Sequence, residues 1–308
     1  MYRFGLVGCG KIAGLHAGVI EGIGTLSAVY DLIPDHAQHY TEQYGATKHE
    51  SLESLLKDDS LDIVCVCTPN GYHAEHCIRS LQANKHVFCE SPLCLTKAGA
   101  WQILETEKYT RRKLFVFNPV SFRAEITELK KKISAHTNGH PYHFDLHGSS
   151  SEPISKGSWK GKLFPGGGAL YTSFSNYVDV LIYLFGEIDS VRGLCKNISH
   201  QDLLESEDAG EAELVMKTGI KGKLSWVLQD SSQNNSYLDV SPLNKPVHLE
   251  NLDRLLKPEL PEYQMMYREF ISTLENGGQA SSLFDSVRTV EAIEKIYKAV
   301  LLNPLPNN

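Results

Sequence analysis

The chain opens as short apolar runs set between helix-like stretches. Phe4–Gly8, Leu26–Asp31, Leu61–Cys67, His86–Glu90 and Leu114–Asn118 read as strands, with helices expected near 12–22, 34–44, 71–83 and 97–110. Near-continuous apolar strands alternating with helices predict a parallel sheet covered on both faces. After about residue 120 the pattern changes. A helix near 122–134 precedes a strand at Tyr142–Gly148, and a polar, glycine-rich loop runs from Ser149 to Gly168. One helix is expected at 169–185, then long strands at 187–197, 209–217, 221–229 and 236–250. Short turns such as Thr218-Gly219 predict antiparallel pairing. Helices near 262–276 and 284–302 close the pattern. The expectation is α/β followed by α+β: a doubly wound parallel sheet over 1–120 and a mainly antiparallel domain over 121–308.

Composition narrows the class. The 308 residues suit two domains, and 42% hydrophobic with 22% charged residues is ordinary for a globular chain. A net charge of −7 argues against nucleic acid as a partner. The Lys130-Lys131-Lys132 run reads as a solvated helix face. No apolar run reaches the length that spans a bilayer, and the N-terminus lacks a signal-peptide layout. The seven cysteines are odd in number, and Cys65, Cys67 and Cys89 sit in apolar strands. Reduced, buried thiols and a cytoplasmic location are expected, with no metal site.

Gly8-Cys9-Gly10-Lys11-Ile12-Ala13 follows the first strand and opens the first helix. The glycines let the backbone approach a pyrophosphate, and the helix N-terminus offers oriented N–H groups to the anion. Asp31 ends the second strand, where a carboxylate accepts ribose hydroxyls and repels a 2′-phosphate. NAD is therefore the expected cofactor, unless Asp31 is only a solvated strand end.

Thr68-Pro69-Asn70-Gly71-Tyr72-His73, the Ala83–Leu93 segment with Glu90-Ser91-Pro92, and Gly166-Gly167-Gly168-Ala169-Leu170 together resemble the Gfo/Idh/MocA family of NAD(P)-dependent sugar oxidoreductases. Trp159-Lys160-Gly161, Ser225–Leu228 and Tyr267–Phe270 are most similar to its UDP-linked aminosugar uronate 3-dehydrogenases. The resemblance implies a Rossmann domain in which Thr68, Pro69 and Asn70 line the nicotinamide half, with His73 nearby. His73 alternatively packs or caps its helix. Glu90 is grouped with these cofactor residues, and Pro92 is placed at a turn whose isomer the sequence leaves open.

The resemblance also implies a Glu-Lys-Pro motif and, on the second-domain helix, an aspartate or asparagine four residues before a histidine. This chain has Ser91, Thr172 and Asn176 there. Hydroxyl oxidation needs a base near neutral pH, and unactivated Ser, Thr or Asn does not supply one. Tyr171, Tyr177, Lys160 and His147 are candidate substitutes, and Arg123 a loosely placed substrate contact. Two functions remain open. One is an NAD-dependent oxidoreductase of a sugar or nucleotide-sugar with altered proton chemistry. The other is a non-catalytic NAD/sugar binder acting as sensor, regulator or assembly partner. A homodimer or homotetramer is expected through a bare apolar face of the second sheet.

Overall fold

The computed structural model describes residues 1–135, 143–229, 235–241, 246–257, 259–278 and 281–302. The chain divides into two compact units. Met1–Phe117 with Glu259–Val287 form one, and Asn118–Pro258 with Arg288–Asn308 the other. The sequence reading has one boundary near 120, whereas in the structure residues 259–287 return to the first unit.

In the first unit the order is β1 Tyr2–Val7, α1 Ala13–Glu21, β2 Gly24–Tyr30, α2 Pro34–Tyr44, β3 Thr47–Lys48, α3 Leu52–Leu56, β4 Ile63–Val66, α4 His73–Gln82, β5 His86–Cys89, α5 Lys97–Thr110 and β6 Leu114–Val116. The strands pair in parallel in the order β3-β2-β1-β4-β5-β6. Every residue of β4 is buried, which is why that run shows no polar alternation. The two-residue β3 carries too little pattern to be read in sequence. This doubly wound order places ligands outside the carboxyl ends of the strands.

Later elements are α6 Ala124–Ala135, β7 His143–Ser150, α7 Leu163–Gly166, α8 Ala169–Thr172, α9 Ser175–Phe185, β8 Ile188–Lys196, β9 Ala209–Met216, β10 Lys221–Leu228, β11 Tyr237–Ser241, β12 Val247–Glu250, α10 Leu252–Leu256, α11 Leu260–Asn276 and α12 Ser281–Leu302. Tyr263, Met266, Tyr267 and Phe270 form a buried stripe on α11 at helical spacing. It packs on the first unit: Tyr267 stacks on Phe88 of β5 with ring centroids 4.1 Å apart, and Tyr263 on Phe117 at 4.0 Å.

The second sheet runs β12-β11-β7-β10-β9-β8. Its pairs are antiparallel except β7 with β10. The single strand expected at 236–250 is the β11/β12 pair, whose intervening residues 242–245 lie outside the described residues. Phe144, Leu146, Leu224, Trp226, Leu238 and Val240 are buried on one face. The opposite face corrects an expectation, because it is polar rather than apolar. It carries exposed Lys221, Glu213, His248 and Glu250, a Lys223–Glu211 ion pair, and His147 bonded to Ser225 at 2.8 Å. Alternation along the strands puts every second residue there, and most of those residues are polar or charged, with Leu194, Val215, Val227 and Tyr237 among them.

The helix expected at 169–185 is also corrected. It breaks between α8 and α9, where Ser173 (φ −127°, ψ −22°) and Phe174 (φ −125°, ψ 10°) leave helical geometry. Phe174 is fully buried and fills the space above Gly148 of β7, where even a Cβ would come within 2.8 Å of its ring. Burial of that ring outweighs continuing the helix. Thr172 and Asn176 therefore do not share one face of a continuous helix.

Candidate active site

The glycine turn is built by close backbone approach. Gly8 has φ +89°, and a Cβ there would lie 2.7 Å from the Cys67 carbonyl carbon, so no other residue fits. Gly10 is different: a Cβ on it would meet nothing within 4 Å. It is exposed, and its lack of a side chain keeps open the approach to the start of α1. Among the described residues, the N–H groups of Gly10, Lys11 and Ile12 make no hydrogen bond within the protein. Three unpaired donors at a helix N-terminus are suited to a pyrophosphate.

Asp31 follows β2 directly. One carboxylate oxygen accepts the Cys9 N–H and the other the Ile33 N–H, both at 2.7 Å. The carboxylate thus anchors the glycine turn, and each oxygen keeps lone-pair capacity for a ribose hydroxyl. Beside it, at the ends of β2 and β3, a small recess is lined by Tyr30, Leu32, Pro34, Lys48, His49 and Glu50. Cys9 is buried, and desolvation aided by Asp31 pushes its thiol up to about 12. It stays a neutral thiol.

At the end of β4, Thr68 and Pro69 are partly exposed and Asn70 is buried. His73 is 1% exposed, and both its nitrogens face carbonyls: Nε2 that of Thr68 at 2.6 Å, Nδ1 that of Pro92 at 2.8 Å. Burial lowers its pKa, while each carbonyl favours an N–H on the nitrogen facing it. His73 therefore joins the loop after β4 to the turn after β5, and has no ring nitrogen left for a ligand. The Ser91–Pro92 peptide bond is cis.

Glu90 also serves the protein itself. Its Oε1 accepts from His16 Nε2 at 2.9 Å and from the Tyr263 hydroxyl at 2.8 Å, and its Oε2 from the Ser91 N–H at 3.1 Å. His16 Nδ1 lies 2.7 Å from the Tyr267 hydroxyl, which is 3.1 Å from Cys65 Sγ. The chain closes with Tyr267 donating to His16 Nδ1 and His16 Nε2–H donating to Glu90. Nothing in the sequence marked the network beyond a lone histidine in the apolar α1. Its partners on α11 lie some 250 positions away.

In the second unit, the Thr172 hydroxyl donates to the Gly168 carbonyl at 3.1 Å. Asn176 is partly exposed, with its Oδ1 buried and unpartnered. Glu207 holds the start of α8, accepting from the Ala169 N–H at 3.1 Å and the Tyr297 hydroxyl at 2.6 Å. Desolvation raises the pKa of this buried carboxyl. The four suggested substitute bases have the following surroundings. Lys160 is paired with both oxygens of Glu152 at 2.7 Å. Tyr171 and Tyr177 are buried, with desolvation raising the Tyr177 pKa, and His147 is on the polar sheet face. Arg123 donates to the Lys257 carbonyl at 2.8 Å.

Residues 2–118 match the profile of the GFO/IDH/MocA oxidoreductase family, NAD-binding Rossmann fold, and residues 126–240 match the GFO/IDH/MocA C-terminal domain. The chain belongs to the GFO/IDH/MocA family. Oxidoreductase P35 of Formosa agariphila is 23% identical over 240 residues, which is 73% of this chain and 72% of that protein. The myo-inositol 2-dehydrogenase of Thermotoga maritima is 32% identical over 143 residues, covering 46% of this chain and 43% of its own length. In fold, the chain is similar to the WlbA dehydrogenase from Bordetella pertussis in complex with NADH and UDP-GlcNAcA, with a TM-score of 0.88, 24% identity and 99% of each chain covered. As a GFO/IDH/MocA chain it carries an NAD-binding domain, and the Gly8–Ile12 turn with Asp31 is the part of it suited to the dinucleotide. Among the described residues, no helix is long and apolar enough to cross a membrane.

Proposed function

We propose that this protein is an NAD-dependent oxidoreductase of a sugar or nucleotide-sugar whose proton chemistry departs from the family's usual set. The observation that carries the reading is the unpaired Gly10, Lys11 and Ile12 N–H cluster beside Asp31, in a chain of this family. The bound nicotinamide would accept hydride from a ring carbon, or return it to a ketone. Thr68, Pro69 and Asn70 would border it at the end of β4, with His73 holding their loop. Ser91, Thr172 and Asn176 occupy the positions where the resemblance implies proton-transfer groups. The Thr172 hydroxyl is committed to Gly168, and an amide does not titrate near neutral pH. Loss of general acid–base help slows such a step by about 10²–10⁴, while binding survives.

A UDP-sugar is the first substrate class to try, given the short sequence matches and the fold likeness to the WlbA dehydrogenase. The test is NADH absorbance with a panel of UDP-sugars and inositols, for the native chain and for Ser91→Lys with Asn176→His. Native turnover supports this reading. NADH binding without turnover, with activity gained by the double variant, supports the second reading: a non-catalytic binder that senses, regulates or assembles. The absence of a titrating side chain at all three positions is what favours that alternative.

A cytoplasmic location and a homodimer or homotetramer complete the proposal. Support for the oligomer is family membership alone, since the exposed sheet face is charged. Light scattering that gives a monomer at micromolar concentration would remove it.

A further inference from the structure

Two histidines one turn apart on α4 grip the same residue. His73 Nε2 faces the Thr68 carbonyl at 2.6 Å, and His76 Nδ1 lies 3.0 Å from the Thr68 hydroxyl. Positions i and i+3 of a helix point to one side, so both rings reach back over the loop that leaves β4. Tyr72 stacks on the His76 ring, with centroids 6.0 Å apart and planes 18° from parallel, which limits how that ring turns. The backbone and the side chain of Thr68 are thus each held by a separate ring.

We propose that His76 is a positioning residue for the cofactor: its Nδ1 fixes the rotamer of Thr68, so that the end of β4 meets the dinucleotide in one preset geometry. The assignment rests on the proposed placement of a dinucleotide against Thr68. Burial lowers the His76 pKa to about 4, so the ring is neutral at working pH and its hydrogen bond to Thr68 does not change with small shifts in acidity. A free threonine hydroxyl samples several rotamers, and a ligand that orders it loses affinity. Fixing the rotamer beforehand removes that loss.

The experiment is NADH affinity of the full chain by fluorescence titration, with urea unfolding followed alongside. Thr68→Val and His76→Leu should each weaken NADH by about five- to tenfold, the effect of one net hydrogen bond. The double variant should be no weaker than either single one, because one interaction is removed in all three. His76→Asn keeps a polar atom near the Nδ1 position and should retain native affinity. His76→Gln places that atom further out and should not. A His76→Leu chain that is less stable yet binds NADH normally would overturn the proposal, as would additive losses. If His76→Leu does not fold, the Asn and Gln pair decides alone, and equal affinities overturn it. If Thr68→Val binds NADH normally, the placement of Thr68 at the cofactor fails first, and that outcome is read separately from any His76 effect.

Discussion

His16 Nε2 donates to Glu90 Oε1 across 2.9 Å, tying the helix behind the glycine turn to the end of β5. Tyr263 donates to the same oxygen and Ser91 N–H to the other, so the buried carboxylate satisfies three donors. Glu90→Ala leaves all three without an acceptor. It should cost about 3 kcal/mol in urea unfolding, and Glu90→Gln about half of that, since an amide still accepts on one side. Equal stability of Glu90→Ala and the native chain would show that the network is not coupled to folding.

Gly8 and Gly10 should separate stability from binding. At Gly8 a Cβ meets the Cys67 backbone at 2.7 Å under φ +89°, so Gly8→Ala should destabilise by roughly 2 kcal/mol or more. At Gly10 a Cβ has open space. Gly10→Val should leave the unfolding midpoint nearly unchanged and lower NADH affinity at least tenfold, because the side chain projects where the pyrophosphate would lie. Titration of NADH against both variants, with unfolding curves, checks the pair.

Phe174 should hold the break between α8 and α9. Its ring is fully buried against Gly148 and lies near Tyr177. Phe174→Ala should cost about 3–5 kcal/mol. Amide exchange at 169–176 should quicken beyond that of the rest of the second unit. Unchanged exchange there would mean that the break is set by the backbone alone.

Stability should fall on acidification below about pH 6.5. Desolvation lowers His76 and His86 from 6.5 to about 4, so between those values the unfolded chain binds protons that the folded chain refuses. The contribution is complete above pH 6.5 and is lost as pH approaches 4. His248 has the opposite sign, being raised by Asp239 and Glu250, but it is fully exposed and screened. Urea midpoints measured between pH 7.5 and 4.5 should drop steadily, and His86→Gln should flatten the slope. A slope unchanged by that substitution would remove His86 from the account.

The first 117 residues were legible because their signals are local. Five of the six parallel strands are apolar runs, the glycine turn lies within six residues, and Asp31 sits where β2 ends. The helix break between Thr172 and Asn176 is not legible, for the converse reason. Their spacing suits one helix, but the burial of Phe174 over Gly148, a contact between residues 26 positions apart, interrupts it.

The sequence by itself determined the parallel nucleotide-binding sheet and the mainly antiparallel character of the second sheet. Tertiary structure alone decided the rest. It brought Tyr263 and Tyr267 of α11 back to Glu90 and His16, and gave Glu90 and His73 partners that hold the loops around them. It also exposed a charged sheet face where an apolar one was expected. Periodicity reports which side of an element is buried; it cannot report what, from hundreds of residues away, does the burying.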